Sequence, residues 1–291
     1  MKTSRLKALV NLLDDPDHLV FNTVKNELLK TKTDIIPILE EKWEQSYDEL
    51  FQERIGNLIQ DVQFKETRSL LKKWIDSESN DLLEGFLIID RFQYPDLNRA
   101  VILQQIEKIN KTVWLELNNS LTMLEKATIL NHFLYSVHSF SVNHAHPKSP
   151  QNCYINQILQ TKRGNPVSIS LLYTILARRL GLPAQLTDFP KNPLVAIIDS
   201  DIAQKVHGEI PGSKVLFYIN PSNKGSVASR KEVEYYLKKN EYIPCKKYTE
   251  PKKDQLFVKR LIESLRDSYL SQGFTDKKIK TDSLLNCFPA E

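Results

Sequence analysis

The stretch "KRGNPVSISLLYTILARRLGLP", Lys162 to Pro183, decides how the rest of the chain is read. Asn165 is a good N-cap, and Pro166 suits the first helical position, where a missing N–H leaves no intrahelical bond unmade. Val167, Leu171, Leu172, Ile175 and Leu176 recur at helical spacing and form a broad apolar face. Arg178 and Arg179 complement the negative end of the helix dipole, and Gly181 stops the helix. A helix start is also a place where a thiol's pKa is lowered and a nucleophile made. The residue standing there is Pro166.

Upstream, the first 75 residues read as helical. "SRLKALVNLLDDPDHLVFNTVKNELLK" sets Leu6, Leu9, Val10 and Leu13, then Val20, Val24 and Leu28, at helical spacing across a break at Asp15-Pro16, and Asp17 can cap the second run. The rhythm returns in "IIPILEEKWEQ" and "SYDELFQERIGNLIQDV" and resembles HEAT-type repeats. Such units bury their apolar faces only by stacking, so these helices are expected to dock on the next domain. A boundary is expected in "DSESND", Asp76 to Asp81, with Asp81 as a cap. "LLEGFLIIDRFQYPDL" is helical until Tyr94-Pro95, because the residue before proline is pushed out of the α region. Two more amphipathic helices follow, then the loop "SVNHAHPKSPQN" and a short helix, "CYINQILQTKRG", ending at Gly164.

Downstream the character changes. "AQLTDF", "PLVAIID" and "KVLFYIN" are short and β-rich, and the last two are expected to pair antiparallel across "SDIAQKVHGEIPGS", read as an irregular connection. "SRKEVEYYLKKN" returns to helix with a capping box from Ser229 to Glu232. "DQLFVKRLIESLRDSYLSQGF" and "DKKIKTDSLLNCF" form a helical hairpin broken at Gly273. Helices, a small sheet and helices again give an α+β fold, with a helical region 1–75, a central domain 80–250 and a hairpin 251–291.

Composition narrows the function classes. With 41% hydrophobic and 26% charged residues, the 291-residue chain can bury a large core without staples. No apolar run approaches the roughly 18 residues that would span a bilayer. Asn11 and three aspartates interrupt the N-terminus before an apolar signal region develops. Cys153, Cys245 and Cys287 are odd in number and far apart, which points to a reducing, cytoplasmic compartment. The net charge of +4 is carried by lysines dispersed among glutamates, whereas nucleic-acid binders gather charge on one face.

Five motifs in order carry a resemblance that covers roughly Leu82 to Leu237. They are "QYPDL", "LNHFLYSVHSFSVN", "SPQNCYINQIL", "RGNPVSISLLYTILARRLGLP" and "FYINPSNKG". Together they resemble the SirB-type bacterial transglutaminase-like proteins, within the papain-like superfamily. The flanking HEAT-like helices and a C-terminal hairpin similar to a tetratricopeptide unit fit a variant of that family. The resemblance implies a helix packed on a small antiparallel sheet. In active members it also implies a Cys at the helix start, a His on the next strand and an Asp on the strand after. A helix N-terminus and a nearby imidazolium would generate the thiolate, and the acid would orient the imidazole.

Carried over one at a time, these positions fall on Pro166, Asn192 and Asn220. Proline has no nucleophile, and an amide is no general base at neutral pH. The expectation is a degenerate, non-catalytic domain that recognises a partner protein or peptide, with no cofactor and no metal. The alternative is a hydrolase or acyl transferase with an unconventional nucleophile, Cys153 or Ser168, the former shortly after His144 and His146. His144, His146 and Cys153 also offer three metal-ligand types, although no HExxH or paired CxxC is present. A nucleic-acid-associated role has only the mild positive charge in its favour.

Overall fold

The computed structural model describes residues 3–31, 33–78, 80–207 and 214–289. The chain begins with helices α1 (Thr3–Asn11), α2 (His18–Leu28), α3 (Ile36–Gln45) and the long α4 (Glu49–Asp76). Then come α5 (Leu82–Gln93), α6 (Arg99–Trp114) and α7 (Met123–Asn131), which runs on as a π-helical turn over His132–Val137. Strand β1 (Ser141–Val142), a 3₁₀ turn (Pro150–Cys153), α8 (Ile155–Thr161) and β2 (Arg163–Gly164) lead into α9 (Pro166–Arg179). Beyond it lie β3 (Ala184–Thr187), β4 (Leu194–Ile198), α10 (Ser200–His207), β5 (Val215–Asn220) and β6 (Ser226–Ala228). The chain closes with α11 (Arg230–Lys239), α12 (Lys246–Thr249), α13 (Asp254–Ser271) and α14 (Thr275–Leu285).

Local chemistry sets most of these starts. Asp17 accepts from Leu19 N, Asp48 from Phe51 N and Asp81 from Glu84 N, each serving an N–H that the helix leaves unpaired. Two cores then divide α4. Phe51, Ile55, Leu58 and Val62 on its first half pack with Leu6, Val10, Val24, Leu28 and Leu39 of α1–α3. Leu71, Trp74 and Ile75 on its second half belong instead to the main core. The polar turn after Trp74 is tight, because Trp74 Nε1 donates to Asp81 O at 2.9 Å.

The four-stranded sheet has the order β3-β4-β5-β6, antiparallel throughout, with Ala196 opposite both Gln185 and Tyr218. The two strands expected to pair antiparallel do so. The connection between them is not irregular along its whole length: Ser200–His207 is helical, and residues 208–213 lie outside the described residues. Strand β6 joins the sheet by hairpin pairing of Tyr218 with Ala228.

Helix α9 lies at the centre. Every residue from Val167 to Ala177 is buried, so the expected apolar face is a wholly enclosed helix. Its polar side chains are answered by backbone carbonyls: Ser170 Oγ donates to Pro193 O at 2.8 Å and Thr174 Oγ1 to Ser170 O at 2.8 Å. Arg178 does more than face the helix dipole. Its Nε donates to Ala184 O at 2.8 Å and its Nη2 to Asp254 Oδ1 at 2.9 Å, tying the end of α9 to β3 and α13. From α13, Phe257, Val258, Leu261, Ile262 and Leu265 enter the main core.

Candidate functional site

The chain approaches α9 through a left-handed residue. The helix expected to end at Gly164 stops at Thr161, and Lys162 takes the positive φ of 61°. Gly164 has another task. A Cβ there would lie 2.6 Å from Ser168 Oγ, so only glycine lets the strand pass the helix start. Asn165 and Ser168 then cap one another, and Pro166 takes the first helical position as expected.

Pro166, half-buried, lines an open cleft of about 480 Å³ between the start of α9, the turn at Lys191 and one face of α13. Lys191 has φ 64°, and the N–H of its neighbour Asn192 donates to Pro190 O at 2.7 Å. The bond from Ser170 to Pro193 O pins this turn one helical turn beyond Pro166. Val195 pairs with Ile219, so Asn220 ends β5 at the edge of the sheet where Asn192 leads into β4. The amide of Asn220 is used locally: its Oδ1 accepts from Ser222 N at 3.1 Å and caps the turn Pro221–Asn223. The topology therefore sets the three positions at one end of the helix–sheet pair. Pro166 and Lys191 line the cleft, whereas Asn192 and Asn220 are not among its lining residues.

The substitute nucleophiles are enclosed. Ser168 is fully buried, and its Oγ donates to Asn152 O at 2.7 Å while accepting from Asn165 N at 2.9 Å. Cys153 is fully buried, with its Sγ 3.1 Å from Asn165 Nδ2. Burial pushes this thiol up to about 12, although the Asn165 amide and the Ser268 hydroxyl act in the opposite direction. His144 and His146 are exposed on their loop, whereas the thiol is enclosed. His146 is held through its backbone: its N–H donates to Asn143 Oδ1 at 3.0 Å and its carbonyl accepts from Asn152 Nδ2 at 2.8 Å. Among the described residues, no group of three or more His, Cys, Asp or Glu is placed to hold a metal ion.

Sequence reasoning missed Asp90. It is fully buried on α5, and its two oxygens accept from Ile155 N at 2.7 Å and Asn156 N at 2.9 Å, so it caps α8 from a distance. Burial raises its pKa to about 7 against the pull of these two bonds. The available signal was a lone acid inside the apolar run "LLEGFLIID".

The profile of the Transglutaminase-like superfamily matches residues 100–263, more than half of the chain. The chain belongs to this superfamily. The matched span holds the α9 start, the whole sheet and the first part of α13, so it includes Pro166 and Lys191, whereas the α13 wall of the cleft, Ser264 to Ser271, lies just beyond it. A UPF0162 protein of Xylella fastidiosa is 29% identical over 123 residues, which are 42% of this chain and 44% of that protein. A UPF0162 protein of Vibrio cholerae is 25% identical over 162 residues, 56% of this chain and 55% of the relative. F-box only protein 21 of Mus musculus is 28% identical over 144 residues, 50% of this chain and 21% of that protein. The chain thus spans less than half the length of the Xylella relative. No solved structure matches it. Among the described residues, no helix is long and apolar enough to cross a membrane.

Proposed function

We propose that this transglutaminase-like domain performs no thiol chemistry and instead holds a segment of a partner protein in the cleft at the start of α9. The observation that carries the reading is Pro166 at the first position of a fully capped helix. Pro166, Asn192 and Asn220 are taken as the counterparts of the Cys, His and Asp of active members: Pro166 supplies no nucleophile, Asn192 no general base, and Asn220, an amide able to orient an imidazole, has none at Asn192 to orient. The finer family reading is the SirB-type variant with HEAT-like helices before the domain and a tetratricopeptide-like hairpin after it, acting in the cytoplasm.

The cleft suits an apolar side chain flanked by charge. Pro166, Val167 and Leu270, the last 62% exposed, offer apolar surface, and Lys191 and Asp267 stand on the rim with opposite charges. The enzymatic alternative requires Cys153 or Ser168 to meet substrate, and burial stands against both, as do the hydrogen bonds that already engage the Ser168 hydroxyl.

A two-part experiment tests the reading. Thiol- and serine-directed probes, mapped by mass spectrometry, are expected to leave Cys153 and Ser168 of the native chain unlabelled. Peptides selected on the immobilised chain from a displayed library are expected to lose at least about tenfold in affinity on Lys191→Glu. Labelling of Cys153 or Ser168 revives the enzyme. Peptides indifferent to Lys191→Glu remove the cleft from the proposal.

A further inference from the structure

A second cleft shares no lining residue with the one at Pro166. It has a volume of about 600 Å³ and opens between α4, the end of α5 and the turn from α13 into α14. That volume falls within the range usual for small-molecule sites. Three aromatic rings, Phe64, Phe92 and Phe274, form apolar walls. Gln60 and Gln63 add amide donors and acceptors, and Lys277 and Lys280 bring two ammonium groups, both half-buried.

The two lysines differ in what neutralises them. Lys280 Nζ lies 3.1 Å from Asp61, which also holds Lys25 at 2.9 Å. Lys277 forms no salt bridge among the described residues. Its Nζ donates to the neutral amide oxygen of Gln93 at 2.8 Å and lies 5.5 and 5.7 Å from the ring centres of Tyr269 and Phe274. Asp276 also lines the cleft but forms no salt bridge with either lysine among the described residues. Burial, and then the charge of Lys280, lower the pKa of Lys277, as expected of an ammonium without a carboxylate partner. An ammonium carries three donors, so the Gln93 bond leaves Lys277 with capacity to spare toward the cleft.

We propose that this cleft binds a small carboxylate with a planar apolar body, its anionic head on Lys277 and its body among Phe64, Phe92 and Phe274. The head gains a charge-assisted hydrogen bond in a site where water is partly displaced. The rings gain apolar burial and edge or face contacts with the planar body. A bare inorganic anion would use only the first of these, and a neutral aromatic only the second. The site stands apart from the Pro166 cleft and does not rest on the reading given to that one.

Titration of the full chain, followed by calorimetry, separates the contributions. The probes are indole-3-acetate, its neutral amide indole-3-acetamide, and inorganic phosphate. Indole-3-acetate is expected to bind with a dissociation constant below about 1 mM, and the amide and phosphate each at least about tenfold more weakly. Lys277→Gln is expected to weaken the carboxylate by about tenfold while leaving the amide unchanged, and Phe274→Ala to weaken both organic probes. Lys277 is half-buried on the surface, and an unchanged urea midpoint for Lys277→Gln confirms that the fold survives. Equal binding of carboxylate and amide, full binding by Lys277→Gln, phosphate as tight as the carboxylate, or no binding to the unaltered chain each overturns the proposal.

Discussion

Asn165 and Ser168 exchange hydrogen bonds across the first turn of α9. Ser168 N donates to Asn165 Oδ1 at 2.8 Å, and Asn165 N donates to Ser168 Oγ at 2.9 Å. Both residues are buried, and Ser168 Oγ reaches on to Asn152 O at 2.7 Å. The helix start is thus stabilised from within, and a serine that sequence alone offers as a nucleophile is part of the cap. Ser168→Ala should cost about 1 kcal/mol, because it removes the bonds to Asn165 N and Asn152 O and leaves those two groups only their mutual bond at 3.2 Å. Urea unfolding at neutral pH measures this. A change within about 0.5 kcal/mol, the range of ordinary surface substitutions, would show that the pair is not structural.

Asp90 gives the stability of the protein a specific pH dependence. Its folded pKa of about 7 lies above the roughly 3.9 of an exposed aspartate, so the native state keeps a proton that the unfolded chain releases. The stability contributed by that proton is full below the unfolded value and is lost as pH rises through the folded one. In Asp90→Asn the amide N–H₂ must oppose one of the two N–H groups of α8 that the carboxyl serves, at a cost of about 2 kcal/mol at pH ~5. The stabilities from urea unfolding of both proteins from pH ~4 to ~8 should therefore converge as pH rises, by up to about 1.4 kcal/mol per unit, and cross between pH ~6 and ~7. Parallel curves would mean that Asp90 is ionised throughout.

Much of the fold was legible because the signals were local. Asn165, Pro166 and Gly181 bound α9 as their chemistry requires, and Gly181 adopts a positive φ of 78°. The capping box from Ser229 to Glu232 and the antiparallel pair of β4 and β5 followed from short-range pattern alone. What escaped was set by tertiary contact. Gly164 looked like a helix stop, yet its role is to clear Ser168 Oγ, which no local pattern announces. Helix α10 has eight residues and few apolar positions, too short for periodicity to outweigh the connection around it. At the candidate site, Pro166 could be placed by counting from two glycines, but the enclosure of Cys153 and Ser168 depends on α13 and the 3₁₀ turn around them.

Cys153 should be chemically silent in the native state. Its thiol is fully buried and pushed up to about 12, so almost none of it is thiolate at pH ~8. Cys245 is exposed. Iodoacetamide at that pH should alkylate Cys245 while leaving Cys153 intact until denaturant is added, with peptide mass spectrometry as the readout. Modification of the two at similar rates would require an opening motion that exposes the α9 start.

The assignment of Pro166 and Asn192 as counterparts of a thiol and an imidazole can be tested by restoring both. Pro166→Cys places a thiol at the first position of α9, where the helix N-terminus alone should bring its pKa below the usual value of about 8.5. Asn192 sits in the turn that Ser170 pins against α9, close in sequence to Lys191 on the same cleft. If the assignment is right, Asn192→His added to Pro166→Cys supplies an imidazolium partner and lowers the thiol pKa by at least about another unit. The rate of alkylation against pH gives both values directly, with Cys245→Ser in each protein to remove the exposed background thiol. Hydrolysis of thiol-protease substrates is not required for the test, because the thiol pKa reads the Pro166–Asn192 pair directly, whatever Asn220, whose Oδ1 caps the turn after β5, contributes. A double variant whose thiol titrates with that of Pro166→Cys alone would place the imidazole out of reach, and the matched loss of a catalytic pair would no longer describe this cleft.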